Sequence, residues 1–255
     1  MRAVITVAAA LLAMARPAAA DPVGARVLTA PTAWLPAAGA AVAMLGVDQR
    51  GDGAAVIGYG LGGIAEVELG ADTDVRGCAC DTRPSAIWLG RAAFRVGARQ
   101  DAWLRGMPAI ALGVRASFAA RGHEVHEPRA SDAYLVASRD LGVVRVHAGV
   151  DALSAAVDGR RSPARLRPLA GLEIHPPIYP RSSLIGDLAW TPALAGVPTL
   201  GWALGIGVRF QALPWASVEL AVRAREHEDL GASTVLLRVN AAWRPSAPRS
   251  RRSDR

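Results

Sequence analysis

The residues of this chain with the right types for chemistry are five histidines, two cysteines and a scatter of serines and carboxylates. His147 and His175 stand close in sequence to Arg145, Asp151, Glu173 and Ser154, the types that make a nucleophile and its base. A serine hydrolase of the common kind would carry Gly-x-Ser-x-Gly around the nucleophile, and no such elbow surrounds Ser154. His123 and His126 alternate with Glu124 and Glu127, a donor set for a divalent cation, although a solvated polar loop accounts for them more simply. Cys78 and Cys80 are separated by one residue, so a disulfide between them would close a strained ring. As metal ligands they lack a second cysteine pair or a nearby histidine. The glycines of Gly58–Gly63 have no Lys-Ser/Thr after them and do not form a phosphate loop. No catalytic residue, metal or cofactor is therefore expected, and a lipid- or polysaccharide-modifying hydrolase is the alternative.

Polar side chains that do no chemistry still need elements to hold them. The chain has 255 residues, 51% of them hydrophobic but only 5% aromatic, and every basic residue is Arg. Residues 1–20 read as a signal peptide: Arg2, then an apolar stretch from Ala3 to Ala15, then Ala18-Ala19-Ala20 before Asp21. Its removal takes away Arg2 and Arg16, so the formal charge of +7 falls to about +5. No later run is apolar and long enough for a membrane helix. Arg249, Arg251, Arg252 and Arg255 make a basic tail over 244–255, read as a solvated, disordered end; no aromatics interleave with it, so nucleic acid is not an expected partner.

A period of two resolves how so apolar a body can lack a spanning helix. Leu200, Trp202, Leu204, Ile206, Val208 and Phe210 alternate with Gly201, Ala203, Gly205, Gly207, Arg209 and Gln211. The same dyads set Val67 and Leu69 against Glu66 and Glu68, and Val146 and Val150 against Arg145, His147 and Asp151. They set Leu172 against Glu173 and His175, Leu220 and Val222 against Glu219 and Arg223, and Leu237 and Val239 against Arg238. The expected fold is all-β: an antiparallel transmembrane barrel of about 12 strands, apolar face on lipid and polar face on the lumen. A soluble periplasmic β protein, with the faces reversed, is the competing architecture.

The strands are placed at 39–48, 53–61, 63–72, 85–98, 107–120, 131–139, 142–152, 165–175, 182–191, 198–212, 215–226 and 231–243, after a periplasmic lead-in over 21–38. Glu66, Glu68, Arg145, His147, Asp151, Glu173, His175, Arg209, Glu219, Arg223 and Arg238 are the expected lumen-facing polar residues. Trp190, Trp215 and Trp243 are the expected interfacial aromatics. Gly60–Gly63, Asp140–Gly142 and Leu213–Trp215 read as tight turns; Thr73–Pro84, Gly122–Ala130 and Leu153–Ala164 read as long loops. Short periplasmic turns and long outer loops put both termini in the periplasm. The final dyad ends on Trp243, the amphipathic strand that barrel-insertion machinery would read, with Arg244–Arg255 beyond it.

Two stretches resemble the YjbH-type outer-membrane proteins associated with exopolysaccharide. One is Leu28-Thr29-Ala30-Pro31-Thr32-Ala33 followed by Leu35-Pro36-Ala37-Ala38-Gly39; the other is Phe210-Gln211-Ala212-Leu213-Pro214-Trp215 with Glu219. The resemblance implies an outer-membrane barrel tied to polysaccharide secretion and supplies no catalytic residue. The expected role is non-catalytic, in exopolysaccharide export or porin-like passage of small solutes, with outer-membrane lipid, the insertion machinery and polysaccharide as partners.

Overall fold

A strand with one apolar and one polar face is stable only where those faces meet different media. In the computed structural model the dyads close on themselves, so lipid and lumen are those media. The structure describes residues 26–49, 53–76, 86–119, 128–157, 159–193, 198–226 and 233–244. The signal peptide 1–20, Cys78 and Cys80, the histidines at 123, 126 and 227, and the tail beyond 244 lie outside the described residues.

Twelve antiparallel strands form one closed barrel: β1 (Ala41–Asp48), β2 (Gly53–Leu61), β3 (Ala65–Arg76), β4 (Ala86–Ala98), β5 (Ala109–Ala119), β6 (Arg129–Asp140), β7 (Val144–Val157), β8 (Arg160–Ile174), β9 (Ser182–Ala193), β10 (Thr199–Leu213), β11 (Ala216–Arg225) and β12 (Thr234–Trp243). Each pairs with its chain neighbours, and β12 closes on β1 from Ala41↔Trp243 to Asp48↔Leu236. The apolar face points outward: Ile206 is 68% exposed while Arg209, three residues on and on the opposite face, is 5% exposed. Leu45, Leu69, Leu112, Leu135, Leu220 and Leu237 continue the exposed belt around the wall. This orientation is that of a transmembrane β-barrel; a soluble sandwich would bury these side chains.

One mouth carries the turns at Gly62–Ile64, 141–143 and 214–215, where the positive φ of Gly62, Gly63 and Gly142 relieves the tight reversals. The chain enters β1 and leaves β12 at this same turn mouth, where the Arg244 guanidinium bonds the Ala38 carbonyl at 3.4 Å. The opposite mouth is called the loop mouth. One loop expectation is overturned there. Leu153–Ala164 is not a long loop: β7 runs to Val157 and β8 begins at Arg160. The outward residues of that hairpin include Arg161 and Pro163, both exposed. A hairpin with polar residues on its outer face lacks the apolar alternation by which the other strands were recognised.

The two mouths are not equally wide. β9 leaves its neighbour β8 near the loop mouth and leans across the barrel, where Ala193 pairs with Arg76 on β3, the strand six places away in either direction round the wall. Leu89 of β4 packs there with Ala155 and Val157 of β7 and with Leu200 of β10. Residues from three separate parts of the wall thus meet in one apolar cluster and narrow the loop mouth.

Candidate functional site

The lumen is where ionisable groups converge. Glu66 of β3 pairs with Arg95 of β4 directly across the ladder, and Glu68 with Arg91 two residues along it. Arg209 on β10 joins Glu173 on β8 at 2.9 Å to Glu219 on β11 at 2.7 Å, and Arg238 on β12 reaches Glu219 at 3.2 Å. Asn240 donates to Glu219 Oε1 at 2.7 Å. All of these side chains are buried. Breaking one such pair leaves an uncompensated charge, so the network is costly to disturb even though it adds little net stability.

Of the expected lumenal residues, Glu66, Glu68, His147, Asp151, Glu173, Arg209, Glu219, Arg223 and Arg238 are buried. Arg145 and His175 sit half-buried at the turn mouth, where Arg145 pairs with Asp140 at 2.7 Å. Just past β8, burial first and the Arg145 guanidinium next hold His175 below the ordinary imidazole range. Trp215 lies in the β10–β11 turn and Trp243 ends β12, both at the turn mouth. Trp190 lies toward the loop end of β9, where its Nε1 donates to the Pro168 carbonyl at 2.8 Å.

The centre of the lumen is filled by a part of the chain read as a lead-in. Residues 26–36 do not stay outside the barrel; they enter it as a narrow loop. Arg26 and Pro31 form an antiparallel bridge, so Val27–Ala30 make the tip of a tight reversal inside the lumen, and the chain runs on from Pro31 to β1 at the turn mouth. Val27, Leu28, Ala30 and Ala33 are fully or almost fully buried.

The barrel holds this loop through its backbone. Asp187 Oδ2 accepts the N–H groups of Leu28, Thr29 and Ala30 at 3.0, 2.5 and 2.6 Å. Ser138 Oγ accepts the N–H of Ala33 at 2.8 Å. Arg209 donates to the Val27 carbonyl at 3.1 Å and Arg238 to the Leu28 carbonyl at 2.5 Å. Arg95 spans the Thr32 and Trp34 carbonyls at 2.9 Å each. The same arginines that neutralise Glu66, Glu173 and Glu219 therefore also satisfy the Val27, Leu28, Thr32 and Trp34 carbonyls of the loop. Glycine makes the room: a Cβ at Gly171 would lie 2.7 Å from Val27 Cγ2, and one at Gly205 would lie 2.7 Å from Leu28 Cδ1.

The nucleophile–base reading also changes. Ser154 donates to the Ser162 carbonyl at 3.2 Å in the loop half of the barrel and does not meet His147. Ser138 does: its Oγ lies 2.7 Å from His147 Nδ1, and His147 Nε2 lies 3.4 Å from Glu173 Oε1. This order of serine, imidazole and carboxylate is used for holding. The oxygen of Ser138 accepts from Ala33, and the Trp34 and His147 rings stand perpendicular with their centroids 6.3 Å apart. Among the described residues no group of three His, Cys, Asp or Glu side chains is arranged to hold a metal.

Of the residues that grip the loop, Arg209 and Arg238 were among the sequence candidates, and Asp187, Ser138 and Arg95 were not. Arg95 and Asp187 carry a weak signal, each flanked by apolar residues (Phe94 and Val96; Gly186 and Leu188) in strands whose alternation was not followed. The loop carries none, because what it offers the barrel is peptide groups common to every residue.

No protein-family model and no curated protein matches the chain. Among solved structures it is similar to a KdgM porin at 4% identity and TM-score 0.48, covering 80% of this chain and 98% of that one. It is also similar to a KdgM porin in complex with disordered oligogalacturonate, at 5% identity and TM-score 0.49 over the same shares. A third likeness is to the translocator domain of the autotransporter NalP from Neisseria meningitidis, at 15% identity and TM-score 0.39, covering 80% of this chain and 88% of that one. The description of the fold rests on this chain's own pairing and burial.

Proposed function

We propose that the chain is a gated passage in the bacterial outer membrane, for envelope carbohydrate or small polar solutes, with the loop 26–36 as its gate. One observation carries this reading: a polar lumen is occupied by a segment outside the wall strands that is held by hydrogen bonds to its backbone and runs on into β1 at the turn mouth. A barrel needing only a filled interior could fill it with side chains from its own strands. A tethered segment can leave without unpairing any strand. The resemblance to YjbH-type proteins adds to the reading, since its first stretch, Leu28–Ala33, is the gripped part of the loop and its second, Phe210–Trp215, runs from the end of β10 into the β10–β11 turn. In this reading the turn mouth faces the periplasm, export uses the 1–20 signal peptide, and insertion machinery reads the strand ending at Trp243.

The test is single-channel conductance in planar bilayers of the whole chain and of a form lacking residues 26–36. The whole chain is expected to be closed for most of the record and the deletion to conduct steadily. If the deletion folds, migrates as a heat-modifiable barrel and stays closed even with Leu89→Ser and Val157→Ser widening the loop mouth, the passage reading fails.

A further inference from the structure

The outer wall is apolar over most of its height, and one sector departs from this near the loop mouth. There the loop halves of β5, β6, β7 and β8 stand in register, with Phe118↔Arg129, Arg129↔Ala156 and Ala156↔Arg161 in one row across the wall. Ala130, Ala155 and Ser162, next to that row, are buried. Arg129, Ala156 and Arg161 therefore belong to the outward face, where both arginines are exposed. The next row toward the membrane centre sets exposed Ser131 against Ser154, whose hydroxyl donates to the Ser162 carbonyl at 3.2 Å. Elsewhere on the wall the outward face is filled differently: Ile206, Val222 and Val235 make one row of branched apolar side chains. The sector also ends in a seam. β8 and β9 pair only from Ala170↔Leu188 to Ile174↔Leu184, and Leu166, above that ladder on β8, is 75% exposed.

Depth decides what this row meets. Leu135 of the apolar belt lies about 20 Å along β6 from Arg129. An outward arginine is costly at the bilayer midplane and nearly free at the interface, so the row sits level with lipid headgroups. Neighbouring strands lie about 4.7–4.9 Å apart, so Arg129 and Arg161 stand about 10 Å from each other with only the Ala156 methyl between them. Two guanidinium forks can reach across that gap to one phosphate, and Ser131 adds a hydroxyl donor beneath it. Among the described residues of this face none is acidic. Past the serines, Ala133 and Ala152 pair as small side chains between exposed Val114 of β5 and exposed Leu166 of β8. A shallow groove floored by methyl groups thus leads from the arginines into the apolar belt. A soluble acidic sugar would use the arginines and leave the groove empty; a phosphate-bearing lipid uses both.

We infer that this sector of the outer wall holds a phosphate-bearing lipid of the leaflet at the loop mouth, its phosphate between Arg129 and Arg161 and one acyl chain over Ala133 and Ala152. The site lies outside the wall and requires no open lumen, so it stands or falls separately from the passage reading.

The probe is dioleoyl phosphatidic acid, added to the full chain in a non-ionic detergent and read by native mass spectrometry. Dioleoylglycerol, with the same chains and no phosphate, is the comparator. The phosphatidic acid is expected to be retained at least tenfold better, and to lose about tenfold in retention with Arg129→Gln combined with Arg161→Gln. Ala133→Phe combined with Ala152→Phe fills the groove, keeps both arginines and should lose several-fold. Arg99→Gln combined with Arg105→Gln removes the same charge from exposed positions at the turn mouth and should leave retention within twofold. These positions face outward or lie in an exposed turn, so each variant should keep heat-modifiable migration. Equal retention of the two lipids, retention unchanged by the Arg129 and Arg161 changes, or an equal loss in the turn-mouth variant would each overturn the proposal. So would displacement of the lipid by an equal concentration of inorganic phosphate or of a carboxylated oligosaccharide.

Discussion

The two mouths of the barrel are closed in different ways. At the turn mouth a loop of the chain, 26–36, sits in the lumen and is held by Asp187, Ser138, Arg95, Arg209 and Arg238 through its peptide groups. At the loop mouth the wall narrows itself: β9 leans onto β3, and Leu89, Ala155, Val157 and Leu200 pack where β4, β7 and β10 approach. The first closure is polar, directional and separable from the wall. The second is apolar and made of the wall. A closure built from hydrogen bonds to a tethered segment can be released as a unit, whereas an apolar closure made by strands yields only as those strands shift.

Removing residues 26–36 should have the largest effect, converting rare openings into steady conductance in planar bilayers. If the loop mouth were the tighter closure, this deletion would stay silent and the order of the two would reverse. Asp187→Ala comes next. It leaves three buried N–H groups without an acceptor, at about 1–3 kcal/mol for each group that stays buried. The open fraction should rise at least tenfold, about 1.4 kcal/mol of bias, and protease should cut within 26–36 faster than in the unchanged chain.

Gly205→Val tests the same grip by crowding, since the new side chain meets Leu28 Cδ1 and Asp187 Oδ1. It should open the barrel about as often as Asp187→Ala does. Adding Leu28→Ala should restore part of the closure; no restoration would mean that the introduced valine distorts the wall instead of expelling the loop. Leu89→Ser with Val157→Ser should have the smallest effect, raising the conductance of the loop-deleted form a few-fold and leaving the whole chain closed. A large effect on the whole chain would show that the apolar cluster, and not the loop, holds the barrel shut.

How much of this was legible beforehand differs by element. β10, β11 and β12 announce themselves as strands, because long strands between two media must alternate, as Leu204, Ile206 and Val208 do against Arg209. The upper half of the β7–β8 hairpin does not, since exposed Arg161 and Arg165 obey no such rule. Arg209 and Glu219 face each other across the β10–β11 hairpin, but Glu173 lies on β8 and meets Arg209 past the intervening β9, a contact that the alternation does not record. Ser154 was the wrong serine for His147 because nearness in sequence along a strand is distance in space. Ser138 reaches His147 from the facing strand, where the two are paired across the ladder.

The sequence by itself determined the kind of wall, an antiparallel barrel of about twelve strands each with an apolar and a polar face, because a period of two separates the two kinds of side chain. Tertiary structure alone decided what the lumen contains and where the wall is weak. The loop 26–36 is bound through peptide groups that carry no residue-specific signal, and the β8–β9 seam depends on where two strands diverge. Both are set by distances between segments far apart in the chain, which no local pattern records.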